Sequence, residues 1–140
     1  MKNPGIIEIS MTSRVEYLSL LHAACDEICR ILELDEDTSM NMSLALHEAA
    51  INAMKHGNGF DESKVVTVSF EVRPDRLIVK VKDEGEGFDW AQVKDPRAPE
   101  NIGRTNGRGI FLMRSFVDSV DYERVPGGGL VVSMVKNLEG

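Results

Sequence analysis

Residues 47–59 read HEAAINAMKHGNG. The run is alanine-rich, has no proline and ends in Gly57, Asn58 and Gly59, so it predicts a helix stopped by glycine. Glu48 and Asn52 stand four apart and share one face of that helix, and Lys55 and His56 lie near the same face one turn on. A carboxylate, a carboxamide and a cation in a row on so apolar a helix need a reason, and the rest of the chain bears on what it is.

Around this helix the chain divides into short elements. GIIEISM (5–11) alternates like a strand. Residues 14–34 place apolar side chains at 15, 18, 21, 24, 25, 28, 31 and 32, which is helical spacing. DEDTS (35–39) offers N-caps for the helix that runs to about Lys55 or His56. Two strands, about 64–72 and 76–82, flank a Pro74-Asp75 turn. Residues 83–106 break the pattern, with at most a short helix near 89–94; a stretch of this kind usually binds something or moves. GIFLMRSFVDSV (109–120) returns to helical periodicity, and SVDYERV, a glycine turn at 127–129 and LVVSMVK close the chain as a strand pair. The order predicts an α/β two-layer sandwich with a mixed, mostly antiparallel sheet and helices on one face, in one domain over residues 1–140.

The composition narrows the function classes. The net charge of −7, from 16 basic and 23 acidic residues, disfavours general nucleic-acid binding. No apolar run approaches the ~20 residues of a membrane span, and the first ten residues lack the apolar core of a signal peptide, so the expected compartment is the cytoplasm. Cys25 and Cys29, four apart in a predicted helix, read as reduced, packed thiols. There is no G-x-x-x-x-G-K-[ST], no G-x-G-x-x-G and no G-x-S-x-G, and the second histidine of an H-E-x-x-H would fall at Ile51.

Three motifs remain: Glu48-x-x-x-Asn52, DEGEGFD (83–89) directly after a strand, and NGRGIFLM (106–113) opening a helix. Asp83 can accept from an amine deep in a cleft, while Gly85 and Gly87 let the backbone approach a flat ring. Gly107 and Gly109 expose N–H groups to an anion at a helix start. The Asn52 carbonyl oxygen suits magnesium, and Glu48 can act on a nucleophile beside the ion. Lys55 and Arg108 can offset phosphate charge. Singly these motifs read as a solvated helix face, a turn and a cap. Their order and placement together point to a nucleotide site.

With these residues the chain resembles the Bergerat-fold, or histidine-kinase-like, ATPases, with EAAINAMKHGN as the N box and the other two motifs as glycine boxes. Within that superfamily it is most similar to the small bacterial anti-sigma factor serine kinases, through E-A-x-x-N-A-x-x-H-G and G-R-G-I-F-L-M-R-S-F followed by V-D-S-V. The resemblance implies ATP bound over one sheet face, Asp83 at the adenine amino group, Gly85 and Gly87 flanking the base, and Asn52 holding Mg2+. It implies Glu48 as general base, a lid over about 89–106, and Gly107, Arg108 and Gly109 at the phosphates, with Lys55 as a further phosphate-side cation. It also implies transfer of the γ-phosphate to a serine of a STAS-domain anti-anti-sigma partner, sequestration of a sigma factor, and a homodimer. His56 is expected to bond locally at the helix end. Leu130 follows Gly129 where such proteins carry a threonine, which predicts one adenine-side hydrogen bond fewer, and Asn106 stands where glycine is usual. Two other functions compete: a nucleotide-gated binding module with little turnover, for which Glu48 has no task, and the ATPase part of a histidine kinase, for which a dimerisation helix pair is lacking.

Overall fold

The computed structural model describes residues 4–85 and 116–138. Strand β1 (Gly5–Thr12) leads through a 3₁₀ turn (Val15–Tyr17) into helix α1 (Leu18–Ile31) and then α2 (Glu36–Asn52). A π-helical turn (Ala53–Gly57) extends α2. Strands β2 (Val65–Val72) and β3 (Arg76–Lys82) form a hairpin, and β4 (Ser119–Arg124) and β5 (Leu130–Asn137) form a second. The five strands make one sheet in the order β1-β2-β3-β5-β4. All four pairings are antiparallel, where the sequence left room for a mixed sheet.

Period-two alternation decides which face is covered. Val68 pairs with Val81 and Phe70 with Val79, and Val79 and Val81 pair in turn with Met134 and Val132. All six are buried in one core with Leu21, Cys25 and Ile28 of α1 and Met42, Leu46 and Ala49 of α2. Both helices therefore lie on that face. Thr67, Ser69, Lys80 and Ser133 alternate onto the opposite face, where Lys80 meets Glu71 at 3.2 Å. Cys25 and Cys29 are free thiols inside the core.

Local chemistry sets the helix ends. Asp35 caps α2 by accepting from Thr38 N at 2.7 Å. Helix α1 ends with Glu33 in the left-handed region (φ 57°), while Leu34 N donates to Cys29 O and Glu33 N to Arg30 O. This is the bond pattern that glycine usually completes.

The end of α2 departs from expectation. The α-helical pattern stops at Asn52, and Asn58 N donates to Ala53 O at 2.8 Å, the five-residue spacing of a π turn. The wider turn breaks the phase that would carry Lys55 and His56 along the Glu48–Asn52 face. Lys55 is exposed and His56 half-buried. Directly beyond the turn, Asn58 is buried.

Candidate functional site

Asp83 follows β3 directly and is 2% exposed. Its Oδ1 accepts from Gly85 N at 3.0 Å and from Leu130 N at 3.2 Å, and its own N–H donates to Leu130 O at 3.0 Å. Those bonds fix the carboxylate plane and engage one of its oxygens. Burial pushes the Asp83 carboxyl above the usual carboxylate range, against the two N–H donors that favour its charge.

Three glycines make room for it. A Cβ on Gly57 would overlap the Asp83 carboxylate, one on Gly85 the Gly57 carbonyl oxygen, and one on Gly129 the Asp83 carbonyl oxygen. Gly129 also has φ 107°, which a side chain would strain. Gly85→Ala is therefore expected to destabilise the fold by roughly 1–3 kcal/mol, the usual cost of overpacking, and to weaken nucleotide binding with it. A denaturant midpoint equal to that of the wild type would show that the junction tolerates a methyl group.

The residue that binds this junction together is Asn58, 3% exposed. Its Nδ2 donates to Ser13 Oγ at 2.8 Å and to Val65 O at 3.0 Å, and its Oδ1 accepts from Glu84 N at 2.8 Å. Glu84 Oε1 in turn accepts from Val65 N at 3.2 Å. One buried amide thus ties the end of β1, the start of β2 and the segment after β3 to the end of the α2 extension. The sequence shows Asn58 only as a polar residue between two helix-stopping glycines, which reads as a turn.

Between this junction and the sheet lies a cleft. Its helix side is Ala49, Asn52 and Ala53, and its sheet side is Val81, Asp83, Tyr122, Leu130 and Val132. Its walls are apolar, and Asp83 and Asn52 supply polar ends, the lining chemistry of a ligand site. Asn52 is 6% exposed, and its Nδ2 is buried with no hydrogen-bond partner among the described residues. Leaving such a group unpaired costs about 1–3 kcal/mol, which a ligand in the cleft can relieve. Leu130 contributes its N–H, its carbonyl and a buried side chain, so the threonine hydroxyl of the resemblance is replaced by an apolar wall while the backbone link to Asp83 stays.

Of the predicted site residues, the structure brings Asn52, Asp83 and Gly85 to one place. Glu48 lies one helical turn before Asn52, partly exposed beside the cleft. The residue before it, His47, meets α1, its Nδ1 standing 3.1 Å from His22 Nε2. Exposed Lys55 is outside the cleft lining. His56 is held below the usual histidine range by burial and by its neighbour Lys55, which disfavours a charge there. Gly87, Gly107, Arg108, Gly109 and the expected lid over 89–106 lie outside the described residues, as does most of the helix expected at 109–120. Among the described residues, no group of three or more His, Cys, Asp or Glu side chains could hold a metal, and no helix is long and apolar enough to cross a membrane.

The sequence profile of the histidine kinase-like ATPase domain matches residues 11–136. Serine-protein kinase RsbW of Bacillus subtilis (strain 168) is 28% identical over 144 residues, covering 99% of this chain and 89% of that protein. Serine-protein kinase RsbW of Staphylococcus epidermidis is 29% identical over 140 residues, covering 95% and 87%. Among solved structures, the RsbU and RsbW domains of a Mycobacterium tuberculosis protein superpose with a TM-score of 0.70 at 14% identity, over 97% of this chain and 33% of that one. The SiaB-SiaC complex of Pseudomonas aeruginosa superposes with a TM-score of 0.63 at 13% identity, over 94% and 89%. At these identities the structural likeness shows the fold.

Proposed function

Because the chain belongs to the histidine kinase-like ATPase domain family, we propose that its cleft binds ATP and that the protein transfers the γ-phosphate to a serine of a STAS-domain partner. The observation that carries this reading is the pairing in one cleft of a rigidly held, buried carboxylate and a buried amide whose nitrogen has no partner among the described residues, with a carboxylate one turn away on the same helix. The relatives named serine-protein kinases, matched over almost the whole chain, support it.

In this reading the free side of the Asp83 carboxylate accepts from the exocyclic amine of adenine, and Val81, Leu130 and Val132 cover the ring. Asn52 would hold magnesium by its amide oxygen, with phosphate oxygens and water completing the ligands. Bound there, the ion would offset phosphate charge. Glu48 takes the proton from the acceptor hydroxyl as the serine oxygen attacks the γ-phosphorus, and the bond to the bridging oxygen breaks to release ADP. Gly85 and Gly87 flank the base, Gly107, Arg108 and Gly109 serve the phosphates, Lys55 adds a cation from outside the cleft lining, residues 89–106 form the lid, and the chain works as one domain. The same reading includes a cytoplasmic homodimer that withholds a sigma factor until its partner competes.

Removing the Asn52 side chain tests the metal end. Asn52→Ala is expected to abolish magnesium-dependent ATP binding while the thermal unfolding of the protein stays close to wild type, because the variant deletes an unpaired amide. The experiment is calorimetric titration with ATP, with and without magnesium, followed by phosphoserine detection on the STAS-domain protein encoded in the same genome. Unchanged Mg-ATP affinity in the variant would rule out Asn52 as the ligand.

A further inference from the structure

Met40, Leu44, Glu48 and Asn52 follow one another at four-residue spacing along α2. Each step advances about 6 Å along the helix axis and about 40° around it, so the four form one gently winding row. The row grades from open surface to site. Met40 is 61% exposed, Leu44 is 43% exposed, Glu48 is partly exposed and Asn52 is buried in the cleft wall. The core side of the same helix is already filled by Met42, Leu46 and Ala49. Met40 and Leu44 therefore do no packing work that would account for two large apolar side chains there.

On the kinase reading above, we infer that Met40 and Leu44 form the docking strip for the acceptor protein, which lays an apolar patch beside its phosphorylatable serine along the first half of α2. The occupant follows from reach. A hydroxyl that gives its proton to Glu48 must come within hydrogen-bonding distance of it. A protein carrying that hydroxyl covers on the order of 800 Å² of this surface, a patch about 16 Å in radius. Leu44 lies about 6 Å and Met40 about 12 Å from Glu48 along the axis, so both fall inside such a footprint centred on Glu48. Exposed Glu36 and Asp37 at the start of the helix add negative charge at the far end of the strip, which favours a basic residue at that edge of the partner.

The test uses Met40→Glu and Leu44→Glu, which keep good helix formers at exposed positions. The substrate is the STAS-domain protein whose serine the wild type phosphorylates, and its Ser→Ala form serves for equilibrium binding. Each variant is expected to raise the KM for the acceptor and the dissociation constant of the Ser→Ala form by roughly tenfold or more. Turnover at saturating acceptor, ATP affinity and thermal unfolding stay near wild type. Ile6→Lys, at an exposed apolar position of β1 paired with Glu71 on the sheet face away from the helices, is the control and leaves the KM unchanged. An unchanged KM and unchanged affinity in both strip variants overturn the inference while transfer by the wild type keeps the kinase reading. Loss of sigma-factor binding with acceptor binding intact also overturns it and assigns the strip to the other partner. Absence of transfer by the wild type itself removes the kinase reading and the strip with it.

Discussion

Replacing Glu48 with glutamine is expected to lower phosphoryl transfer to the acceptor serine by about 10²- to 10⁴-fold, the usual worth of a general base. A serine hydroxyl is a poor nucleophile until its proton is taken during attack. On the proposed reading Glu48 takes that proton: it stands one turn before Asn52 and is partly exposed, while Asn52 is enclosed in the cleft wall. Glutamine keeps the length and shape of the side chain and cannot accept the proton. Nucleotide affinity should change far less, because Glu48 is not among the residues lining the cleft. Single-turnover transfer, with ATP affinity measured on the same preparations, separates the two effects. Full-rate transfer by Glu48→Gln would mean that another group takes the proton.

Asp83→Asn is expected to weaken ATP binding by about 10²-fold while leaving the fold intact. Asparagine can keep an oxygen where Asp83 Oδ1 accepts from Gly85 N and Leu130 N, so the junction with Gly57 and Gly129 survives. It then presents an NH₂ donor where the free carboxylate oxygen stood, facing the amine of adenine. A charge-assisted hydrogen bond worth about 1.5–3 kcal/mol is replaced by donor against donor. The same carboxylate gives the binding a pH dependence. Its pKa is raised in the folded protein, chiefly by burial. The folded state thus holds the proton more firmly than the unfolded chain, and this group's contribution to stability is fully present below the unfolded pKa and lost as pH rises through the folded one. Nucleotide affinity runs the other way, falling as pH drops through the raised pKa and the acceptor is neutralised. Asp83→Asn should lack that slope. Calorimetry across the acidic range reads both, and wild-type affinity in the variant would place the base elsewhere.

The elements that local pattern dictates were legible from the chain. Alternation in 65–72 and 76–82 gave the central hairpin its buried face, Pro74-Asp75 its turn, and the DEDTS run the cap that Asp35 provides. Of the candidate site, the motifs at Asn52 and just beyond β3 at Asp83 could be picked out from the chain, and the fold brings these two residues into one cleft. What escaped is contact between distant segments. Gly57 and Gly129 stand 26 residues before and 46 after Asp83, and only the folded chain shows that both clear space for it. Asn58 looks like a turn residue until Ser13, Val65 and Glu84 gather around it. The π turn stands directly before that anchorage, and no local propensity announces it. Leu130 shows the limit of reading side chains for function: its residue type predicts a lost contact, yet the link it makes to Asp83 runs through backbone N–H and carbonyl groups that any residue but proline would supply.

On the proposed reading this cleft delivers the γ-phosphate of ATP to a protein serine. Incubating the purified protein with magnesium, γ-labelled ATP and each STAS-domain protein encoded in its own genome, and mapping the label by mass spectrometry, tests it most directly. The expected result is one phosphoserine on one such partner, formed by the wild type and nearly absent with Glu48→Gln. ATP binding without labelled serine on any of them would contradict it and leave a nucleotide-gated binding module in its place.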